Sequence, residues 1–320
     1  MNTPRLTIVA LFLVGHLVFA GCRAGTADRP IEPTPAPPSD TVRMVDDAAP
    51  TLLKVQFVLT GLAAEDPFKG PNGVAVAPDG TIYVADTEMK RVVRFDAGGR
   101  PMGAFGQGES DAGGLVAPVD LVVTGSGRVL VLDRGTGDVV TFEANGRYVG
   151  RFTGPGFYNP FGLAVTGDRP IVADTGTGRV LRFTPDGVVE IEIANRDMQA
   201  GTTWDPSGVV LDADGSVIVV DGARGSALRY RPDGSFVNEV EIAVSGLTRV
   251  VRLADGSIVA SDPLRSRLVR WRLPGAFVAR YASEEGAEEI VHPTGIAVDV
   301  AGSLYVVDAQ MNRVLKLAPP

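Results

Sequence analysis

One order of apolar and polar positions recurs along most of the chain. Residues 70–95 read "GPNGVAVAPDGTIYVADTEMKRVVRF". A short apolar run follows Pro-x-Gly, and a polar turn containing "PDG" reverses it. A second apolar run ends at an acid, Asp86. A polar loop of about five residues then leads to a third run, "RVVRF". Short apolar runs bounded by Gly, Pro and Asp are strand and turn signals. A further turn with Gly precedes a fourth strand, as in "GRYVGRF" and "GSFVNEV".

Five more stretches follow the same order: "APVDLVVTGSGRVLVLDRGTGDVVTF", "NPFGLAVTGDRPIVADTGTGRVLRF", "DPSGVVLDADGSVIVVDGARGSALRY", "GLTRVVRLADGSIVASDPLRSRLVRW" and "HPTGIAVDVAGSLYVVDAQMNRVLKL". Their aligned acids are Asp86, Asp133, Asp174, Asp221, Asp262 and Asp308, 41 to 47 residues apart. Four antiparallel strands in a period of about 40 to 50 residues describe one blade of a β-propeller. The chain is therefore predicted to be all-β, with six blades over residues 51–320. The last copy stops after its third strand, at "NRVLKLAPP". Residues 52–61, "LLKVQFVLTG", read as a strand without a blade. Pairing them with the last blade closes the ring and removes an open sheet edge.

The N-terminal part follows another pattern. In residues 1–21, Arg5 precedes an apolar run from Leu6 to Phe19, then Ala20 and Gly21. The run has signal-peptide form and is short for a membrane-spanning helix. "FAGC" resembles the bacterial lipobox, with Phe19 where Leu is usual. The resemblance implies lipidation of Cys22 and a membrane anchor. Residues 22–50 are rich in proline (Pro33, Pro35, Pro37, Pro38), which biases them to an extended spacer. An extracytoplasmic, membrane-anchored lipoprotein of a bacterial envelope is expected.

Composition narrows the chemistry. Net charge is −8, with no run of Lys or Arg. Nucleic acid is not expected as a partner, because phosphate binding needs clustered cations. Cys22 is the single cysteine, and the two histidines are His16 and His292. An intramolecular disulfide and a Cys-based zinc site are excluded.

The strand motifs resemble those of NHL-repeat propellers: Pro-x-Gly-Val-Ala-Val, then Gly-x-Ile-Tyr-Val-Ala-Asp, then Lys-Arg-Val. The resemblance covers about 250 residues and implies the fold. Such propellers include amidating lyases, lactonase-like hydrolases and binding modules, so fold does not choose among functions. The three-histidine zinc site of amidating lyases cannot be built around His292 alone. Lactonase-like relatives hold a divalent metal such as calcium on Asp, Glu and Asn at the channel mouth. Here Asp120 is the one carboxylate at the matching position, with Asn72 and Asn159 able to assist.

An acid found once per blade serves each blade. Its carboxylate is expected to accept backbone N–H groups of the loop. It can also pair with the arginine five residues on: Arg91, Arg179, Arg267 or Arg313. The aromatic series Phe95, Phe142, Phe183, Tyr230 and Trp271 is expected as packing between blades. Arg94, Arg182, Arg229, Arg270 and Lys316 precede this last position of the third strand, on the opposite strand face, and are expected as outward or inter-blade charges.

Function is sought where a blade departs from the pattern. Gly73, Gly162, Gly208 and Gly295 follow the Pro-x motif, but blade two has Asp120 and blade five has Arg249. Opposite blades carry them, so acid and base are expected to face each other at the channel mouth. Arg252 stands where the other copies have Val or Leu, and such a charge needs a partner or a purpose. Phe68, Phe157, Tyr158, Phe161, Trp204, His292 and the acidic "SEEGAEE" lie in loops of the same face. They are read either as recognition groups or as packing for the loops. The leading expectation is a binding or scaffold module for an envelope protein, peptide or glycan. It would act through Asp120, Arg249, Arg252, Tyr158, Phe161, Trp204 and His292, with no catalytic residue and no resident cofactor. The alternative is a metal-dependent lyase or lactonase-like hydrolase at the channel mouth.

Overall fold

A computed structural model describes residues 49–109, 112–195, 204–246, 248–272, 276–283 and 289–320. The expected signal peptide, Cys22 and the linker up to residue 48 lie outside the described residues.

Six four-stranded antiparallel units form a ring, each ordered outward from the centre. Blade one comprises Pro71–Val76, Ile82–Asp86, Arg91–Phe95 and Pro101–Phe105. Blade two comprises Pro118–Val123, Val129–Asp133, Asp138–Phe142 and Tyr148–Thr153. Blade three comprises Pro160–Thr166, Arg169–Asp174, Arg179–Phe183 and Val189–Asn195. Blade four comprises Pro206–Leu211, Val217–Asp221, Ser226–Tyr230 and Phe236–Glu241. Blade five comprises Val250–Arg252, Ile258–Asp262, Arg267–Arg272 and Ala276–Ser283. Blade six contributes Pro293–Val298, Leu304–Asp308 and Arg313–Leu317. First strands of neighbouring blades touch all round the ring, including those of blades six and one.

The segment expected to close the ring does so, as two strands. β1 (Thr51–Leu53) and β2 (Val55–Leu59) are separated by Lys54. β2 is the outer strand of blade six, antiparallel to Arg313–Leu317, with Val58 opposite Leu315. β1 instead runs parallel to the outer strand of blade five, with Leu52 opposite Ala282. It adds a fifth strand there. One short segment thus fastens two adjacent blades, and Leu53 and Leu59 bury the inner side of each.

The second strands ("IYVAD", "VLVLD" and their equivalents) show no polar alternation because both faces are covered. Every one of their residues is buried except Arg169, at the start of the blade three strand. Six apolar clusters fill the spaces between neighbouring blades. Between blades one and two the space holds Tyr83, Ala85, Leu121, Val129 and Phe142. Phe95, Phe142, Phe183, Tyr230 and Trp271 are all buried in this core. Truncating such an aromatic to Ala costs about 3–5 kcal/mol. Two of the basic residues before them bridge blades: Arg94 Nη1 donates to the Ala144 carbonyl at 2.9 Å and Arg182 Nη1 to that of Pro232 at 3.0 Å, while Arg229, Arg270 and Lys316 pair with acids of their own blades.

The upper face is defined by the starts of the first strands and the ends of the second. The lower face carries the turns that join first to second strands.

Candidate functional site: the upper face and the central channel

All six repeat aspartates are buried at the ends of second strands. Asp133 accepts N–H groups from Val116, Ala117 and Gly135 at 2.7, 2.8 and 3.0 Å. Asp174 accepts those of Tyr158 and Asn159, and Asp308 those of Val291 and His292. Each carboxylate therefore fixes the loop that leads into its own blade. The arginine five residues on completes the fastening at Asp86, Asp262 and Asp308, at 2.8, 2.9 and 3.3 Å. In blade three a hydroxyl stands between. Thr177 Oγ1 donates to Asp174 at 2.6 Å and accepts from Arg179 Nε at 3.2 Å. Blade two uses Asp138 and Arg151 at 3.0 Å, and blade four uses Ser226 and Glu239 at 2.7 Å. Burial pushes the Asp86 carboxyl upward, and the Lys69 N–H and Arg91 oppose the shift.

The Pro-x-Gly motif has a steric cause. At Gly162 an added Cβ would lie 2.4 Å from the Ser207 carbonyl oxygen of blade four, and at Gly295 2.3 Å from that of Asn72 in blade one. First strands approach too closely there for a side chain to sit between them. Asp120 and Arg249 occupy this same register, and both line the central cavity.

These two residues meet. Arg249 Nε lies 3.0 Å from Asp120 Oδ2, joining blade five to blade two. Arg249 Nη2 donates to the Val119 carbonyl at 3.2 Å, and its guanidinium lies over the Phe161 ring at 3.5 Å. Asp120 also accepts the N–H groups of Leu163 and Leu121, at 2.9 and 3.0 Å. Arg249 is 5 % exposed and Asp120 7 %. The pair is an internal tie across the channel rather than a display on the surface. Burial pushes the Asp120 carboxyl up, against the charge of Arg249. Burial also lowers Arg249, against the charge of Asp120. The backbone of blade five is adapted to the departure: its first strand is only three residues long, and the Arg249 N–H is taken by Ser261 Oγ at 3.0 Å.

Arg252 lies at the other end of the channel, three positions down the first strand. Its partner is Asp212 of blade four, Nε to Oδ1 at 3.1 Å. It was expected on the upper face with Arg249; the strand's length carries it to the lower rim instead. Between the two ends lies a cavity of about 510 Å³.

The loop aromatics divide. Of the two readings of the loop aromatics, packing holds for Phe161, Trp204 and Phe68, which are buried, and not the recognition role expected for Phe161 and Trp204. Phe161 lies beneath Arg249, and Trp204 Nε1 donates to the Gly178 carbonyl at 2.8 Å. Packing has claimed both rings. Tyr158 is 81 % exposed, while its backbone is held by Asp174. His292 is half-buried, and its N–H and carbonyl bind Asp308 and Ala309. Residues 284–288 of the acidic segment lie outside the described residues. Exposed Val116, Leu264 and Met311 share the upper face and were not anticipated from sequence. Their one signal is position, beside or between the repeat aspartates. Among the described residues no three His, Cys, Asp or Glu side chains converge as a metal site. Asn72 Oδ1 is buried without a hydrogen-bond partner, and the Asn159 N–H is bound to Asp174.

Residues 68–95 match the model of the NHL repeat. The chain is a six-bladed propeller carrying an NHL repeat. No curated protein matches its sequence. Solved structures with the same fold include a streptogramin B lyase, at 15 % identity and TM-score 0.63, covering 82 % of this chain and 97 % of that one. Virginiamycin B lyase from Staphylococcus aureus is 14 % identical with TM-score 0.61, covering 84 % of this chain and 100 % of its own. A chain of a nidogen/laminin complex is 16 % identical with TM-score 0.59, covering 72 % and 86 %. At these identities the NHL-bearing propeller shares a fold with lyases and with a protein of a binding complex alike.

Proposed function

We propose that this propeller is an extracytoplasmic binding module, held to a membrane through lipid on Cys22, that captures an envelope protein, peptide or glycan with its upper face. Tyr158 carries the reading. A large aromatic side chain stands 81 % exposed on a loop whose backbone is fastened to the buried Asp174. A rigid, amphipathic aromatic loses little conformational freedom on contact and is a frequent anchor of interfaces. Val116, Leu264 and Met311 add apolar contact on the same face. Behind this surface Asp120, Arg249 and Phe161 tie first strands across the channel, and Trp204 fastens its loop to the Gly178 carbonyl.

The test is affinity capture from the envelope with the full chain, comparing wild type with Tyr158→Ser and Leu264→Ser. A partner retained by wild type and lost by both variants, at unchanged melting temperature, supports the reading. A partner held equally by both variants removes it. In parallel, Cys22→Ser should release the protein from membranes on fractionation. The alternative, a metal-dependent lyase or lactonase-like hydrolase, would use a channel mouth whose acid is already tied to Arg249. Turnover of a lactone, ester or streptogramin that chelation abolishes would replace the binding reading with it.

A further inference from the structure

The channel beneath the Asp120–Arg249 pair has the attributes of a second, separate site. Its lining runs from Asp120 and Arg249 at one end to Pro78, Thr124, Gly125 and Arg252 at the other. The walls between are aliphatic, supplied by the first strands of all six blades. Burial varies along it. Leu163, Val209, Val250 and Ile296, next to the ion pair, are buried. Val165, Leu211 and Val298, further down, are partly exposed. The cavity therefore opens on the lower face and ends at the pair.

Its blind end is not chemically saturated. Arg249 Nε faces Asp120 at 3.0 Å as an ion pair and Nη2 donates to Val119, but Nε and Nη1 are both buried with no hydrogen-bonding partner. A buried donor without an acceptor costs free energy until one arrives. The charge there is already balanced by Asp120, and that of Arg252 at the rim by Asp212. An added anion would leave net charge in a low-dielectric tube, whereas a neutral acceptor would not. A volume of about 510 Å³ lies within the range of roughly 300–1,000 Å³ typical of small-molecule pockets.

We propose that the channel binds a small, elongated apolar molecule through its lower opening, with one neutral acceptor, an amide or ester carbonyl, placed on Arg249 Nη1. The site does not depend on the upper-face reading. A ligand there would bridge first strands of all six blades and so stiffen the ring from inside.

Isothermal titration of the full chain with decanamide tests this, with decanoate as the charged counterpart. Decanamide should bind and decanoate should bind more weakly. Val298→Trp fills the channel near its partly exposed end and should weaken decanamide binding at least tenfold, with the unliganded melting temperature unchanged. Leu211→Phe, on the same lower ring, should act likewise and serves if the first variant folds poorly. Arg249→Lys keeps a cation opposite Asp120 but removes the fork, and should weaken decanamide by about tenfold, as for one buried hydrogen bond. No decanamide binding, or binding indifferent to channel-filling variants, overturns the site. Decanoate binding more tightly than decanamide overturns the neutral acceptor.

Discussion

Arg249 of blade five and Asp120 of blade two, on opposite sides of the ring, meet across its channel with Nε 3.0 Å from Oδ2. Both charges are buried, at 5 % and 7 % exposure, so each depends on the other. Arg249→Ala should destabilise the fold by about 3–5 kcal/mol, because it strands a buried carboxylate. The double replacement Arg249→Met with Asp120→Leu should recover most of that loss. Urea denaturation of the three proteins measures both. A single variant that unfolds at the wild-type midpoint would contradict the buried tie.

β1 and β2 fasten blades five and six together. Deleting residues 51–60 should abolish the cooperative unfolding transition seen by calorimetry. The milder Leu59→Ala should keep the fold and cost about 2–5 kcal/mol. A deletion variant melting like the full chain would show that the ring closes without these strands.

The repeat aspartates are fastened unequally. Arg91 is buried and bonded to both Asp86 and Asp66, at 2.8 and 2.6 Å. Arg179 reaches Asp174 through Thr177. Arg91→Ala should therefore lower the melting temperature more than Arg179→Ala. Equal effects would mean that the Asp66 contact adds nothing.

Acid stability should be governed by the lower-face turns. The Ser216 N–H and hydroxyl and Arg229 hold Asp214 down to about 2, and Asp255 is lowered in the same way by Ser257 and arginines. A carboxyl lowered in the folded state stabilises the fold above its unfolded pKa of about 3.9, and that contribution is lost as pH falls through the folded value. Asp86, Asp120 and Asp221 are raised by burial and act in the opposite sense. Asp214→Asn should therefore melt below wild type at about pH 5, and the gap should close as pH falls toward 2. Melting curves over that range decide; a gap independent of pH would assign the effect to packing.

Sequence made the blades legible because the same local needs recur: the aspartate in six blades, the aromatic in five and the Pro-x-Gly glycine in four. Departures from that repeat pointed to Asp120 and Arg249 as a facing acid and base. Depth was not legible: nothing local distinguishes an arginine displayed at a mouth from one stacked on Phe161 beneath it. Nor could spacing separate Tyr158, which stays in solvent, from Trp204, whose indole finds the Gly178 carbonyl of the neighbouring blade. The split of residues 51–59 at Lys54 into one parallel and one antiparallel strand depends on two sheet edges that exist only in the assembled ring.

The pairing of Val58 with Leu315 also sets a timetable. During synthesis β2 emerges early, while its partner strand comes almost last. Until then the growing propeller is an open arc with an apolar strand unmatched at each end. Such edges are slow to join and prone to pair with the wrong chain. A chain of this design gains from a helper that shields its first strand until its last one arrives.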